Sequence, residues 1–170
     1  MLYLAEKKQV RQVLPAWNNE TMWNERSGII GVGYEGSDME SFLNGLVGWG
    51  VNTLVDVRLN AISRKKGFSK RALKEGLAQA GISYLHLPAL GNPKDNRDGF
   101  ASPGGADNAA HARYKELLQT GQAQEALREL ADLATQERVA VLCFEASELG
   151  CHRRFVLDAV KQSMRERAVA

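Results

Sequence analysis

Residues 139–156 read VAVLCFEASELGCHRRFV, and the way they fold decides the architecture. The apolar run from Val139 into Cys143-Phe144-Glu145 has the length and composition of a buried strand. A short loop follows. Cys151-His152-Arg153-Arg154 then opens an apolar-periodic segment that reads as a helix to about Arg167. Strand, loop, helix is the repeating step of a parallel sheet. It also sets a thiol, an imidazole and two guanidiniums at a helix N-terminus, where backbone N–H groups and the helix dipole favour negative charge. The same setting lowers a cysteine's pKa.

The step recurs upstream. Ile29-Ile30-Gly31-Val32-Gly33-Tyr34 is a short apolar run ending in glycines, as in a buried strand. Ser37 or Asp38 can cap a helix through Val47, with Met39, Phe42, Leu43, Leu46 and Val47 on one face. Residues 52–58, NTLVDVR, read as a second strand. Ser69 is placed to cap a helix from Lys70 to Ala80. Ile82 to Leu87 reads as a third strand, closed by Pro88. Residues 91–108, rich in Gly, Asp, Asn and Pro, form a long loop of the kind that is functional or mobile. Helices at about 111–119 and 122–136 lead into the strand at Arg138 to Phe144. The expected fold is α/β: a single domain with a mostly parallel sheet of about four or more strands and helices on both faces, in Rossmann-like layers. Ligands of such folds bind outside the carboxyl ends of the strands, near a switch in strand order.

The 170 residues suffice for one sizeable core, here at residues 28–170, and 44% hydrophobic with 25% charged residues is ordinary for a globular protein. Residues 1–27 read as an N-terminal extension carrying a short amphipathic helix around Val10, Val13, Leu14 and Trp17. The net charge of +2 names no partner by itself, and two cysteines are too few for a disulfide scaffold. No apolar run approaches the roughly 20 residues of a membrane span. Glu6, Lys7 and Lys8 interrupt the apolar core a signal peptide needs, so a cytoplasmic protein is expected. The oligomeric state is not readable from these features.

Polar residues collect at the predicted strand ends. The first delivers Tyr34 and Glu35, the second Asp56 and Arg58, the third His86, and the fourth Cys143 and Glu145. Asp56 and Arg58 share a face because side chains alternate along a strand. Glu35, Asp56, Glu145 and His152 are candidate acids and bases, and Cys151 a candidate nucleophile. Each also has a structural reading: an ion pair for Asp56–Arg58, a backbone-binding carboxylate for Glu35, a satisfied histidine for His86, a core residue for Cys143. A metal site is a further option, with Cys143, Cys151 and His152 completed by Glu35, Glu145 or His86. Their C-x7-C-H spacing lacks the close ligand pairs usual in zinc sites, so neither a metal nor a cofactor is expected.

From Arg58 to Lys74 the chain carries Arg58, Arg64, Lys65, Lys66, Lys70, Arg71 and Lys74 with no acidic residue. Such groups contact phosphates, and Phe68 offers a face on which a base can stack. The alternative is a solvated basic loop whose Phe68 plugs the core. Arg58, Arg64 and Arg153 suit an anion, with Tyr34, Phe68, Ser69 and His86 beside them as binding candidates.

Read together, GVGYEGSDMESFL, LVDVRLNAISRKKGFSK, YLHLPALG and LCFEASELGCHRRFVLDAV resemble the DUF488 family, a bacterial and archaeal group without an assigned function. The matching motifs are Asp56-Val57-Arg58, Ser63-Arg64 with Gly67-Phe68-Ser69, His86-Leu87-Pro88-Ala89-Leu90-Gly91, Cys143-Phe144-Glu145 and Cys151-His152-Arg153. They run in order over about residues 28–160. The resemblance implies a compact α/β domain with one polar site and supplies no reaction.

Three functions fit this pattern. The first is an enzyme acting on a phosphate-bearing substrate, a nucleotide or nucleic acid. The second is a non-catalytic nucleotide or nucleic-acid binding module. The third is a thiol-based redox or sulfur-transfer protein using Cys151, with Cys143 as resolving thiol.

Overall fold

A computed structural model describes residues 22–101 and 107–170. The helix expected around Val10 to Trp17 lies outside these residues. Four strands form one parallel sheet: β1 (Gly28–Gly33), β2 (Thr53–Asp56), β3 (Ser83–His86) and β4 (Arg138–Cys143), in the spatial order β1-β4-β2-β3. The helices described are α1 (Met39–Trp49), α2 (Lys70–Gln79), α3 (Ala109–Leu118), α4 (Gly121–Gln136) and α5 (Arg153–Ala168). Three short 3-10 turns, Pro88–Leu90, Lys94–Asn96 and Asp98–Phe100, run between β3 and α3. The α/β reading is therefore correct.

Because side chains alternate along a strand, each strand feeds two cores. Ile29, Val55, Val139 and Val141 face one core with Leu130, Val156, Leu157 and Val160 of α4 and α5. Ile30, Leu54, Ala140 and Leu142 face the other with Phe42, Leu46, Leu73 and Leu77 of α1 and α2. The inner strands β2 and β4 are buried along nearly their whole length because both of their faces are covered.

Local chemistry sets the helix starts. Asp38 caps α1, its Oδ1 accepting from the Ser41 N–H at 2.7 Å, and Gly50 ends the helix with a left-handed φ of 67°. Asn108 caps α3 through the His111 N–H at 3.0 Å, which starts that helix two residues before the expected His111. Ser69 occupies the N-cap position of α2 without capping it. Its hydroxyl is instead bonded to Ser63, accepting from N–H at 3.0 Å and donating to O at 3.1 Å. α5 begins at Arg153 rather than Cys151, because Cys151 and His152 form the turn that leads into it.

Chain direction creates the crevice. β1 and β2 lead into α1 and α2 on one face, whereas β4, lying between them, leads into α5 on the other. Neighbouring strands whose outgoing chains part toward opposite faces leave a gap at their carboxyl ends.

Candidate functional site

A cavity of about 600 Å³ fills that gap. The segment after β2 supplies Arg58 to Lys65, the segment after β4 supplies Cys143 to Glu145 with Gly150 and His152, and the long loop adds Asn92, Arg97 and Phe100. Tyr34, just beyond β1, completes the wall.

Asp56 and Arg58 form the floor. Asp56 is fully buried and accepts from Arg58 twice, Nε at 2.9 Å and Nη2 at 2.6 Å. It accepts also from the Arg58 backbone N–H at 3.1 Å and from Tyr84 Oη at 2.7 Å. Arg58 Nη1 donates to Tyr34 Oη at 3.0 Å and to the Phe68 carbonyl at 2.9 Å. Burial opposes the charge on Arg58, but the Asp56 carboxylate outweighs it and holds the guanidinium well above its ordinary pKa. Burial and the same carboxylate push the Tyr84 phenol up. With four donors on it, Asp56 has no free oxygen for a substrate proton. Its geometry is that of a structural ion pair presenting Arg58 to the cavity.

The loop after β4 is pinned from both sides. Arg153, with no exposed surface, donates through Nη1 to the Glu145 carbonyl and through Nη2 to the Ala146 carbonyl at 3.1 Å. Glu35 Oε2 accepts from the Ala146 N–H at 3.0 Å. Glycines make room for this. A Cβ on Gly33 would sit 1.9 Å from the Glu145 carbonyl oxygen, and one on Gly31 would sit 3.0 Å from Arg153 Nε. Arg153 and Glu35 therefore shape the wall from behind, and neither lines the cavity.

At the β4 wall Cys143, Cys151 and His152 meet, with Cys143 and His152 lining the cavity and Cys151 behind them. His152 Nδ1 lies 3.8 Å from each sulfur. His152 Nε2 is 3.3 Å from the Val57 carbonyl, which can only accept, so the ring proton sits on Nε2. The Cys151 sulfur accepts from the Arg153 N–H at 3.4 Å. The neighbouring Cys151 thiol and burial push the Cys143 thiol well up. Burial raises the Glu145 carboxyl, but hydrogen bonding, first from the Cys143 thiol, wins and leaves it below the usual carboxylate range. Glu145 is thus an anion at neutral pH on the cavity wall.

The basic segment divides. Phe68 is fully buried and stacks on Tyr34 with ring centroids 4.4 Å apart, so it has no face for a base. Ser69 ties the loop to Ser63. His86 Nε2 donates to the Arg58 carbonyl at 2.8 Å. These three support the cavity without lining it. Lys65, its Nζ donating to the Tyr34 carbonyl at 3.2 Å, and exposed Arg64 do line it. So does Arg97, whose Nε donates to the Asn92 carbonyl at 3.2 Å. Among the described residues, Arg64, Lys65 and Arg97 form no salt bridge.

Of the residues picked from sequence, the structure brings Tyr34, Arg58, Arg64, Glu145 and His152 to one cavity, with Asp56 and Cys151 directly behind. Sequence reasoning missed Asn60, Ile62, Asn92, Arg97 and Phe100. The only signal for the last three was the length and composition of the 91–108 loop. Ile62 at 81% exposed and Phe144 at 45% give the cavity an apolar rim.

Fold and site together define a parallel α/β protein with a cationic carboxyl-edge cavity floored by a buried Asp–Arg pair. The chain belongs to the DUF488 family, described as Domain of unknown function DUF488, which it matches over residues 38–160. No curated protein and no solved structure matches it. No helix among the described residues is long and apolar enough to cross a membrane.

Proposed function

We propose that the protein is an enzyme acting on a phosphate-bearing substrate, a nucleotide or the end of a nucleic acid, bound in the carboxyl-edge cavity. One observation carries this reading: among the described residues, three cations that form no salt bridge, Arg64, Lys65 and Arg97, ring a cavity whose wall holds one carboxylate, Glu145. Lysine and arginine groups in this arrangement hold phosphate oxygens. Arg58 adds fixed positive charge at the floor without moving, since Asp56 and Tyr34 lock it. Ile62 and Phe144 offer apolar surface for a base or another apolar part of the substrate. Glu145, ionised and at the wall, serves as the general base.

The thiol reading loses support. Cys151 is 1% exposed and Cys143 5%, and the Cys143 thiol is held protonated. Two free thiols fit a reducing compartment and support a cytoplasmic location.

The test is a hydrolysis screen over nucleoside mono-, di- and triphosphates and short oligonucleotides, with binding measured in parallel. Glu145→Gln is expected to lower turnover by about 10²–10⁴-fold while binding persists. Arg64→Ala with Arg97→Ala is expected to weaken binding and flatten its salt dependence. Binding without turnover on any phosphate ester would favour the non-catalytic module, and absence of both would end the phosphate reading.

A further inference from the structure

Cys143, Cys151 and His152 form a cluster that the function above does not use. Cys143 ends β4, Cys151 and His152 precede α5, and the turn between them folds the three side chains together. Their ligand atoms lie within 4.8 Å of one another, with both sulfur–Nδ1 separations at 3.8 Å. A tetrahedral zinc ion holds sulfur at about 2.3 Å and imidazole nitrogen at about 2.0 Å, which sets those ligands about 3.5 Å apart. Both sulfur–nitrogen separations are already within a few tenths of an ångström of that spacing.

The imidazole is oriented as a ligand. Its Nε2–H points to the Val57 carbonyl at 3.3 Å, which leaves the Nδ1 lone pair facing the sulfurs. A backbone carbonyl on the far ring nitrogen is the usual outer partner of a metal-bound histidine. The Arg153 N–H is directed at the Cys151 sulfur at 3.4 Å, an outer hydrogen bond of the kind that orients a ligating sulfur. Glu145 Oε2 is buried with no hydrogen-bond partner, and Glu145, Cys143 and His152 all line the cavity. A coordinated ion would therefore have a route in and an open side.

The geometry points to a binding site for a zinc-class divalent ion, held by Cys143 Sγ, Cys151 Sγ and His152 Nδ1, with its fourth position open to the cavity beside Glu145. Two thiolates and an imidazole select a borderline-soft ion over magnesium or calcium. Three protein ligands with one open position is the pattern of reactive rather than purely structural zinc. On binding, each thiol gives its proton to solvent and the two thiolates balance the charge of the ion. The inference goes beyond the phosphate reading and stands without it. Where both hold, the ion faces the space a phosphate oxygen would occupy. The C-x7-C-H spacing hides the site in sequence because the ligands come from a strand end and a turn that meet only in the fold.

The test uses the full chain, stripped with a chelator under reducing conditions and titrated with cobalt(II), then zinc(II). The expected result is saturation at about one ion per chain, with a thiolate-to-cobalt charge-transfer band and tetrahedral d–d bands that zinc abolishes. In weak buffer, zinc should release about two protons per ion. Cys143→Ser with Cys151→Ser should lose the charge-transfer band while circular dichroism reports the fold. Should that variant unfold, the wild-type spectrum and proton count still decide. An absent charge-transfer band, a band that survives in the folded double variant, or a Cys143–Cys151 disulfide that forms readily in stoichiometric zinc would overturn the site. Phosphate-ligand binding by the metal-free protein is read separately, so failure of one proposal does not disguise failure of the other.

Discussion

Replacing Asp56 by Asn should cost the protein far more stability than a surface change. Asp56 is fully buried and takes four hydrogen bonds, three of them from Arg58. The amide keeps the shape but removes the charge and puts an NH₂ group among donors. Arg58, 6% exposed, is then a buried cation without its counter-charge. Breaking a buried pair in this way costs about 3–5 kcal/mol. At about 2–4 °C per kcal/mol for a chain of this size, the melting temperature should fall by roughly 6–20 °C. Arg58→Met should cost a similar amount by stranding the carboxylate. The double variant should be more stable than additivity predicts, by about 1–3 kcal/mol, because each change removes the other's burden. Urea denaturation of the four-member cycle reads this directly. If Asp56→Asn leaves stability unchanged and only abolishes activity, Asp56 is a catalytic base and the ion-pair assignment is wrong.

Two further outcomes follow from the packing. Gly33→Ala drives a Cβ into the Glu145 carbonyl, so the loop must shift, at about 1–3 kcal/mol, and turnover should fall with it; equal melting temperatures for both proteins would contradict this. His111 is buried in α3, and burial, with Arg154 nearby, holds its pKa below the ordinary 6.5. The unfolded chain then binds the proton more readily, so this contribution is intact above about pH 6.5 and lost as pH falls through the lower folded value. Urea midpoints measured from pH 7.5 to 5 should drop more for wild type than for His111→Leu, and parallel curves would refute it.

Much of the fold could be read from apolar runs. Helices cover both faces of β4 and β2, and the apolar residues this requires, Val139 to Cys143 and Leu54-Val55, are local in sequence. Strand order is not local. Nothing in residues 138–143 says that they lie between β1 and β2, yet that placement opens the cavity. The site candidates divided along the same line. Arg58 and Glu145 follow directly from strand ends and were legible. Phe68 was ambiguous because an aromatic in a basic loop looks the same whether it faces a ligand or Tyr34. Arg153 reads in sequence as an anion ligand at a helix start, yet it is fully buried and its guanidinium is turned to the loop. Its burial depends on two loop carbonyls needing donors and on Gly31 leaving space. Arg97 and Asn92 reach the cavity from a loop whose path no periodicity specifies.

The most direct test of the central claim, that the carboxyl-edge cavity is the binding site for a phosphate-bearing ligand, is a backbone amide NMR titration with a nucleoside monophosphate. Saturable shifts grouped at residues 58–65, 92–97 and 143–152, weakened by Arg64→Ala, are expected. Shifts centred instead on the outer face of α2, at Lys70, Arg71 and Lys74, or no saturable shifts with any phosphate ligand, would contradict it.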